Sequence, residues 1–304
     1  MPEITAKLVS ELRQRTGVGM MDCKKALVET GGDMEAAIDH LRKVGLAKAA
    51  MKSERMANEG LIRVHKADER RGAMIVLNCE TDFVARNEQF IELANGLAEF
   101  FASAEVPPEC LGAPAATEHL DTVNAMRYRD GETVGEAIAA LVGVIGEKIQ
   151  LGQVVIERSV EPGDYLQGYL HGNRVGVLVC LTVGRIETTA SARFLEAAKD
   201  VAMQVAAGVP QVALAVDREG IDPALVEREK SVLIEQAKAE GKPPEIAEKM
   251  VMGRLAKFFA EVCLLEQPFI KDDSLKLAGM LETAGKEIGD TIHVARFHRF
   301  QLGR

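Results

Sequence analysis

Residues 73–84 of the chain read AMIVLNCETDFV. The first five of them are apolar and predict a buried strand, and a pattern of helical spacing begins at Asn87. The carboxylate of Asp82 and the phenyl ring of Phe83 therefore lie at the turn between a strand and a helix. An aromatic ring at such a rigid corner can anchor a protein partner. The alternative is that Phe83 covers the core of its own domain.

This strand and its neighbours predict one half of a two-part core. An antiparallel partner strand precedes it at residues 61–65, and a helix with apolar residues at helical spacing follows it at residues 90–101. The same order recurs in a hairpin that turns at Gly172-Asn173 and in an apolar helical stripe at residues 194–205. Two related halves packed side by side predict an α+β protein. The predicted halves are residues 56–147 and residues 148–220.

Three short helices are predicted in residues 4–46, separated by glycine-containing turns at residues 16–19 and at Gly31-Gly32. Three helices in so few residues bury little surface, which indicates a small domain. Met20 and Met21 follow the first turn and can form an adaptable binding surface. The alternative is that at least one of them packs inside the bundle.

Two further parts of the chain lie outside the bundle and the two halves. Residues 47–58 are polar and alanine-rich, and we expect a helical linker there, with an N-terminal domain and linker that cover residues 1–55. Asp222-Pro223 marks a helix start, and two helices around a turn at residues 241–244 predict a projecting antiparallel hairpin. The remaining predicted domains are the hairpin, residues 221–262, and a return to the core, residues 263–304, with a helix at residues 274–284 and a strand at residues 291–302.

The composition argues against several classes of function. The 304 residues carry a formal net charge of −9 and no long basic block, so a duplex-binding surface is not expected. Aromatic residues make up 4% of the chain and tryptophan is absent, which argues against a base-stacking platform. No apolar run approaches the length of a membrane-spanning helix. The five cysteines form no Cys-x-x-Cys pair, and we expect reduced thiols in a cytoplasmic protein without a signal peptide.

The sequence contains no recognisable catalytic or metal-binding constellation, so we predict that the protein is not an enzyme and holds no cofactor. The segment 17–19 lacks the third glycine of a dinucleotide fingerprint. The segment 279–286 has one residue too many for a phosphate-binding loop, and Glu287 stands where Ser or Thr is required. His293 and His298 are an odd number of residues apart, which in a strand predicts opposite faces and no shared metal ion.

Five stretches resemble the signature sequences of one known family, the bacterial translation elongation factor Ts family. They follow the order found in that family and span nearly the whole chain. The stretches are residues 12–27 (LRQRTGVGMMDCKKAL), 79–86 (CETDFVAR), 171–177 (HGNRVGV), 241–251 (GKPPEIAEKMV) and 267–269 (QPF). The resemblance implies a ubiquitin-associated-like three-helix N-terminal domain, a two-part core with antiparallel sheets and helices, and a helical hairpin of the dimerisation type.

The resemblance also implies a function. The protein would be a guanine-nucleotide exchange factor that binds elongation factor Tu with GDP, disturbs the Mg²⁺ and phosphate site, and promotes GDP release so that GTP can bind in translation elongation. Its partner would be elongation factor Tu, without direct contact to nucleic acid or membrane, and the Tu–Ts complex or Ts itself could form a dimer. The C-terminal helical module that members often carry is expected to be missing.

The same resemblance assigns roles to individual residues. The residues implied in Mg²⁺ displacement are Thr81, Asp82, Phe83 and Val84. The residues implied in other contacts with elongation factor Tu are Arg13, Met20, Met21, Ile145, Gly146 and His171. It implies no catalytic or metal-ligating residue.

Two other hypotheses belong to different classes. An interaction module could use its N-terminal bundle to bind a ubiquitin-like or other helix-presenting partner. Deletion of residues 1–50 would distinguish it, because an exchange factor should keep weak activity through its core. An enzyme with an unrecognised site is the third hypothesis, and no nucleophile–base pair or metal cluster in the sequence supports it.

Overall fold

The computed structural model describes residues 4–114, 117–129, 131–240 and 244–303. The chain combines helices with small antiparallel sheets, which confirms the predicted α+β class. The helices are α1 (Ala6–Thr16), α2 (Met20–Glu29), α3 (Met34–Met51), α4 (Asp82–Ala85), α5 (Glu88–Ser103), α6 (Thr117–Ala125), α7 (Val134–Ile145), α8 (Ala192–Ala207), α9 (Pro223–Ala239), α10 (Pro244–Val262) and α11 (Leu277–Ile288). The strands are β1 (Glu59–Lys66), β2 (Arg71–Cys79), β3 (Ile149–Arg158), β4 (Asp164–His171), β5 (Val175–Val183), β6 (Pro268–Phe269), β7 (Asp272–Lys276) and β8 (Ile292–Gln301).

The first three helices form the predicted N-terminal bundle. The Thr5 side chain accepts a hydrogen bond from the amide of Leu8 and starts α1, which ends at Gly17 in the left-handed conformation that glycine tolerates. Leu12 and Leu27 are fully buried between the helices. The helix predicted within residues 47–58 is the end of α3, which continues without a break to Met51 and packs against α7. The last turns of α3 therefore attach the bundle to the core directly.

Each half of the core contains the predicted hairpin and the helix that follows it. Both halves complete their sheets with a strand from elsewhere in the chain, giving the strand orders β1-β2-β3 and β4-β5-β8. The predicted strand at 154–156 extends over Ile149–Arg158 and pairs with β2, so the boundary at residue 148 cuts through the first half. A two-stranded hairpin is marginally stable alone, and a third strand gives each half a stable sheet.

Helices cover the outer face of each sheet. Phe90 and Phe101 of α5 are fully buried against the first sheet, and Phe194 of α8 is fully buried against the second. The inner faces of the two sheets pack on each other through a third apolar cluster. That cluster consists of Ile62, Met74, Val76, Val155, Leu166, Leu178, Cys180, Phe300 and Leu302.

Two glycines allow this close approach of the sheets. A Cβ atom on Gly176 would lie 2.5 Å from Cγ2 of Ile62 and 2.8 Å from Sδ of Met74. A Cβ atom on Gly168 would lie 2.8 Å from Cγ1 of Val64. Any larger residue at these positions would separate the β4–β5 hairpin from the strands beneath it, because interior packing leaves no such space.

A buried carboxylate also crosses between the two sheets. Glu157 of β3 is fully buried and accepts hydrogen bonds from Nε and Nη2 of Arg296, at 2.9 and 2.5 Å, and its Oε1 lies 2.5 Å from Nε2 of His298. Burial alone would raise the pKa of Glu157, but the hydrogen bonds and charges of His298 and Arg296 outweigh it and lower the pKa from 4.5 to about 2. Glu157 is therefore ionised and fully paired at neutral pH.

The strand β8 that carries these partners contains a bulge. Arg296 pairs with Cys180 and Val294 pairs with Leu181, so Ala295 is an extra residue. The prediction that His293 and His298 lie on opposite faces is wrong, because the bulge shifts the alternation by one residue. Their partners on β5 are four residues apart, or ~13 Å at the usual rise of a strand, so the two imidazoles are still too far apart to share an ion.

The C-terminal part departs from the predictions at its boundaries. Helices α9 and α10 form the predicted antiparallel hairpin. The turn predicted at residues 241–244 lies outside the described residues, apart from the backbone of Pro244. The helix predicted at 274–284 spans Leu277–Ile288, because the residues before it pair as β7 with β6. Helix α6 (Thr117–Ala125) was not predicted, since its sequence shows no clear apolar stripe.

The pairing of Glu157 predicts how stability depends on this residue and on pH. Glu157→Gln should lower the free energy of unfolding at pH 7 by about 3 kcal/mol, at the low end for a broken buried ion pair because the Arg296 side chain is 42% exposed. Because the folded-state pKa is depressed, this stability is fully present above pH 4.5 and is lost as the pH falls towards 2. Urea denaturation at a series of pH values measures both effects.

Glu282→Gln is the matched control, because Glu282 forms an exposed pair with Lys286 on α11 and should leave stability unchanged. Equal stability of Glu157→Gln and wild type at pH 7 would show that the buried pair does not hold the two sheets together.

Candidate functional site

The sequence-predicted corner lies at the end of β2. Thr81 starts the single turn of α4, and its hydroxyl accepts a hydrogen bond from the amide of Val84 at 3.4 Å. Val84 is buried in the first core half, whereas the side chain of the preceding residue, Phe83, is 80% exposed. Successive helical residues point about 100° apart, so burial of Val84 directs Phe83 outwards. The alternative that Phe83 covers its own core is therefore wrong. Residues 79–85 are called the Phe83 corner below.

Glu147 supports this corner from the other side. One of its carboxylate oxygens accepts a hydrogen bond from the amide of Thr81 at 3.1 Å, and the other accepts from the Thr81 hydroxyl at 2.9 Å. The buried thiol of Cys79 donates to the carbonyl of Thr81 at 3.1 Å. Burial and then the charge of Glu147 raise the pKa of Cys79 to about 12, so the thiol remains protonated and unreactive.

Asp82 places a carboxylate beside the exposed ring. Its only ion pair among the described residues is with Arg86, four residues along, at 2.9 Å. Both side chains are at least half exposed, so this pair contributes at most about 1 kcal/mol and can exchange for another partner. The corner therefore presents an apolar ring and a readily available negative charge together.

Ile145 and Gly146 lie next to the same corner. Helix α7 ends at Ile145, and Gly146 follows with a φ of 85°, a left-handed conformation that favours glycine. Gly146 is exposed, and its carbonyl accepts a hydrogen bond from the ammonium group of Lys52. The next residue is Glu147, which binds Thr81, so the two predicted contact residues directly precede the group that supports the Phe83 corner.

His171 reaches the same end of the molecule through the second hairpin. It ends β4 and is exposed, with its Nδ1 3.3 Å from the hydroxyl of Tyr169 and the two rings stacked at 6.3 Å between centroids. In the adjoining turn, Arg174 forms an ion pair of 3.3 Å with Glu59. Glu59 is the register partner of Cys79. The hairpin turn therefore adjoins the edge of the sheet from which the Phe83 corner emerges.

The N-terminal bundle approaches this end as well. Met20 and Met21 are 41% and 66% exposed, so the alternative that one of them packs inside the bundle is wrong. Arg13 is exposed in the last turn of α1, and its carbonyl accepts from the amide of Gly17. A Cβ atom on Gly17 would lie 3.0 Å from Nε2 of Gln89, in the first turn of α5 just after the corner. The turn between Arg13 and Met20 thus lies beside the start of α5, the helix that follows the Phe83 corner.

Several residues around the corner were not found by sequence reasoning. Glu147 supports the corner, and Met51 and Met56 are 85% and 77% exposed nearby in the chain segment that leads to β1. Charged or isolated residues of this kind carry no signal in a single sequence, because their importance depends on which distant segment they meet.

The described residues contain neither a metal-binding cluster nor a membrane-spanning helix. They include no group of three or more His, Cys, Asp or Glu side chains that could hold a metal ion. Within the same residues, no helix is long and apolar enough to cross a membrane. A cavity of about 800 Å³ lies between α11 and β8 in the second core half, away from the corner.

A family model described as Elongation factor TS matches residues 80–304, which is more than half of the chain. The chain belongs to the elongation factor Ts family. The match begins at Glu80, within the Phe83 corner, and covers the part of the first core half that follows β2, the second core half and the helical hairpin.

Curated elongation factor Ts proteins extend this relationship over the N-terminal bundle. The chain is 44% identical to that of Nitratidesulfovibrio vulgaris over 302 residues, with 99% of this chain and 96% of the relative covered. It is 44% identical to that of Magnetococcus marinus over 303 residues, with coverage of 99% and 93%. It is 43% identical to that of Chlorobium phaeobacteroides over 305 residues, with both chains covered completely. Membership of this family makes the protein a translation elongation factor.

Removal of the Glu147 carboxylate tests whether it supports the corner. Glu147→Ala leaves the amide and hydroxyl of Thr81 without their acceptor, which should favour local opening by about 1–3 kcal/mol. Alkylation of Cys79 by iodoacetamide, followed by peptide mapping, should then be about 5- to 150-fold faster than in the wild type.

Cys180, buried in the second core half, is the internal reference and should react equally slowly in both proteins. An unchanged rate at Cys79 would show that the corner is held without Glu147.

Proposed function

We propose that the chain is a guanine-nucleotide exchange factor for elongation factor Tu. It binds Tu with GDP, inserts the Phe83 corner near the Mg²⁺ and phosphate site, and promotes GDP release so that GTP can bind. The observation that carries this proposal is the 80% exposed phenyl ring of Phe83 between two fixed neighbours, Thr81 and Val84. Membership of the elongation factor Ts family supports the choice of partner and reaction.

The mechanism follows from how a nucleotide is held. Backbone amides surround the phosphates of GDP, and Mg²⁺ neutralises their charge. A side chain that displaces the loops around the metal weakens both interactions. Because coupling between two ligands is reciprocal, Ts that lowers the affinity for GDP is itself bound less tightly when nucleotide returns. No covalent bond is made or broken on the Ts chain, so the reaction requires no catalytic residue and no cofactor of its own.

Displacing the nucleotide requires more binding energy than a single side chain can supply. Burial of one phenyl ring contributes about 1.5–3 kcal/mol, whereas a nanomolar nucleotide is held by about 12 kcal/mol. The difference must come from simultaneous contacts elsewhere. Arg13, Met20 and Met21 are proposed to contact a helix of the nucleotide-binding domain of Tu, and Ile145, Gly146 and His171 extend the contact beside the corner. Thr81 and Val84 hold the ring in place, and Asp82 supplies a charge near the metal.

The remaining partner assignments are proposals of the same kind. A dimer, either of Ts or of the Tu–Ts complex, would use the helical hairpin, on which Val232, Ile246 and Met252 are 45%, 49% and 66% exposed. The net charge of −9 disfavours direct contact with nucleic acid. The expected cellular location is the cytoplasm, where translation elongation takes place.

Truncation of Phe83 tests the proposed mechanism. Phe83→Ala should slow the Ts-stimulated release of mant-GDP from elongation factor Tu by roughly ten- to hundredfold, because the energy of burying the ring is lost. Its thermal unfolding temperature should equal that of the wild type, since the ring is exposed in the free protein. Stopped-flow fluorescence measures the release.

Val160→Ala is the matched control. Val160 is 79% exposed and lies at the opposite end of the first sheet, where its carbonyl accepts from Arg70. It should leave release unchanged. Equal release rates for Phe83→Ala and wild type would remove the ring from the mechanism.

A further inference from the structure

A ring of charged groups joins the N-terminal bundle to the Phe83 corner. It consists of Arg55, Glu80 and Lys148, called the charged clamp below. Each residue belongs to a different segment: Arg55 follows α3, Glu80 follows β2, and Lys148 lies between α7 and β3. The three segments are far apart in the sequence and meet only here.

The clamp is closed by hydrogen bonds on every side. The ammonium group of Lys148 donates to the carbonyls of Ser53 and Arg55, at 2.6 and 2.8 Å. The backbone amide of Lys148 donates to Oε1 of Glu80 at 2.6 Å. The guanidinium group of Arg55 donates to both oxygens of Glu80, at 3.3 and 3.4 Å. The hydrogen bond from the Lys148 amide lowers the pKa of Glu80 below its usual value, and Arg55 adds to this effect, whereas burial opposes it.

The clamp continues directly into the group that supports the corner. Glu80 precedes Thr81, and Lys148 follows Glu147, which binds the amide and hydroxyl of Thr81. The consecutive residues Glu147 and Lys148 thus bind Thr81 and Glu80, which are also consecutive. A shift of the segment after α3 would therefore be transmitted through Glu80 and Lys148 to the turn that carries Phe83.

The bundle side of the clamp is equally constrained. Gly45 of α3 is buried against α7, and a Cβ atom there would lie 3.1 Å from the carbonyl oxygen of Ala139. A Cβ atom on Gly143 would lie 3.2 Å from the Cα atom of Gly45. The backbones of α3 and α7 are thus in contact about 1.7 turns before Met51, where α3 ends. The close crossing of α3 and α7 fixes the position of α3 on the core, and the clamp holds the segment that follows its C-terminus.

We propose that Arg55, Glu80 and Lys148 are positioning residues for nucleotide exchange. They hold the Phe83 corner at a fixed place relative to Met20 and Met21, so that both surfaces meet the nucleotide-binding domain at once. This inference rests on the proposed exchange function. Two anchors on one rigid body bind more strongly than two flexibly joined anchors, because the second contact loses little further freedom.

Lys148→Met removes the ammonium group and keeps most of the apolar stem. It should lower the rate of Ts-stimulated mant-GDP release at subsaturating Ts by about fivefold, the scale of a partly exposed charged interaction. Lys148→Arg, which retains donors for the carbonyls of Ser53 and Arg55, should restore most of the rate. Arg71→Met is the matched control: it removes a similarly exposed pair with Asp68 at the far end of β2 and should change nothing.

A double-mutant cycle separates positioning from general destabilisation. If the clamp acts through the ring, Lys148→Met should change release by less than about twofold when Phe83→Ala is already present. A fivefold loss in both backgrounds would overturn the proposal.

Hydrogen exchange provides a second measurement, in which amides of residues 81–85 should exchange faster in Lys148→Met than in Lys148→Arg, while α1 and α2 remain unchanged. Equal protection of residues 81–85 in both variants would also overturn it.

The outcomes distinguish this proposal from the one on which it depends. If wild-type protein does not accelerate mant-GDP release from elongation factor Tu, the proposed function fails, and the clamp proposal fails with it. If wild type is active and Phe83→Ala is impaired, but Lys148→Met matches wild type in release, only the clamp proposal is overturned.

Discussion

The close stacking of two small sheets determines the shape of this protein. Gly176 lies over Ile62 and Met74 with no room for a side chain, and Gly168 lies in the same way over Val64. Because the two hairpins are held at this separation, the turn after β4 adjoins the edge at which β2 ends. Any larger residue at these glycines would move one recognition loop away from the other.

The turn that carries the exposed phenyl ring is stable without any contact from the ring. Its apolar and polar groups find their partners within the Ts chain. Val84 supplies the apolar contact that fixes α4, and Glu147 and Cys79 satisfy the polar groups of Thr81. Phe83 contributes little to that local structure and remains available for a partner. A protein that must displace a tightly bound nucleotide benefits from such an arrangement, since a ring that is already extended loses little entropy when it binds.

Sequence reasoning identified the elements better than their connections. The alternating and helical apolar patterns predicted both hairpins, the long helices after them and the final strand, because periodicity reports directly on which side of an element is covered. It did not reveal that β3 and β8 complete the two sheets, since strand order depends on long-range pairing. The beginning of α11 was misplaced because β7 is a short exposed strand whose charged residues resemble the first turn of a helix.

The sequence alone determined the family, the α+β class and the corner at which Phe83 lies, because short motifs and apolar periodicity are local properties. Only the tertiary structure decided that this ring is 80% exposed and that Met20 and Met21 lie on the surface. It alone revealed the Glu157 pair and the charged clamp, whose members are brought together by folding. A single charged residue has no preferred partner in a sequence, since its environment is created by distant segments, as the pair of Glu157 and Arg296 shows.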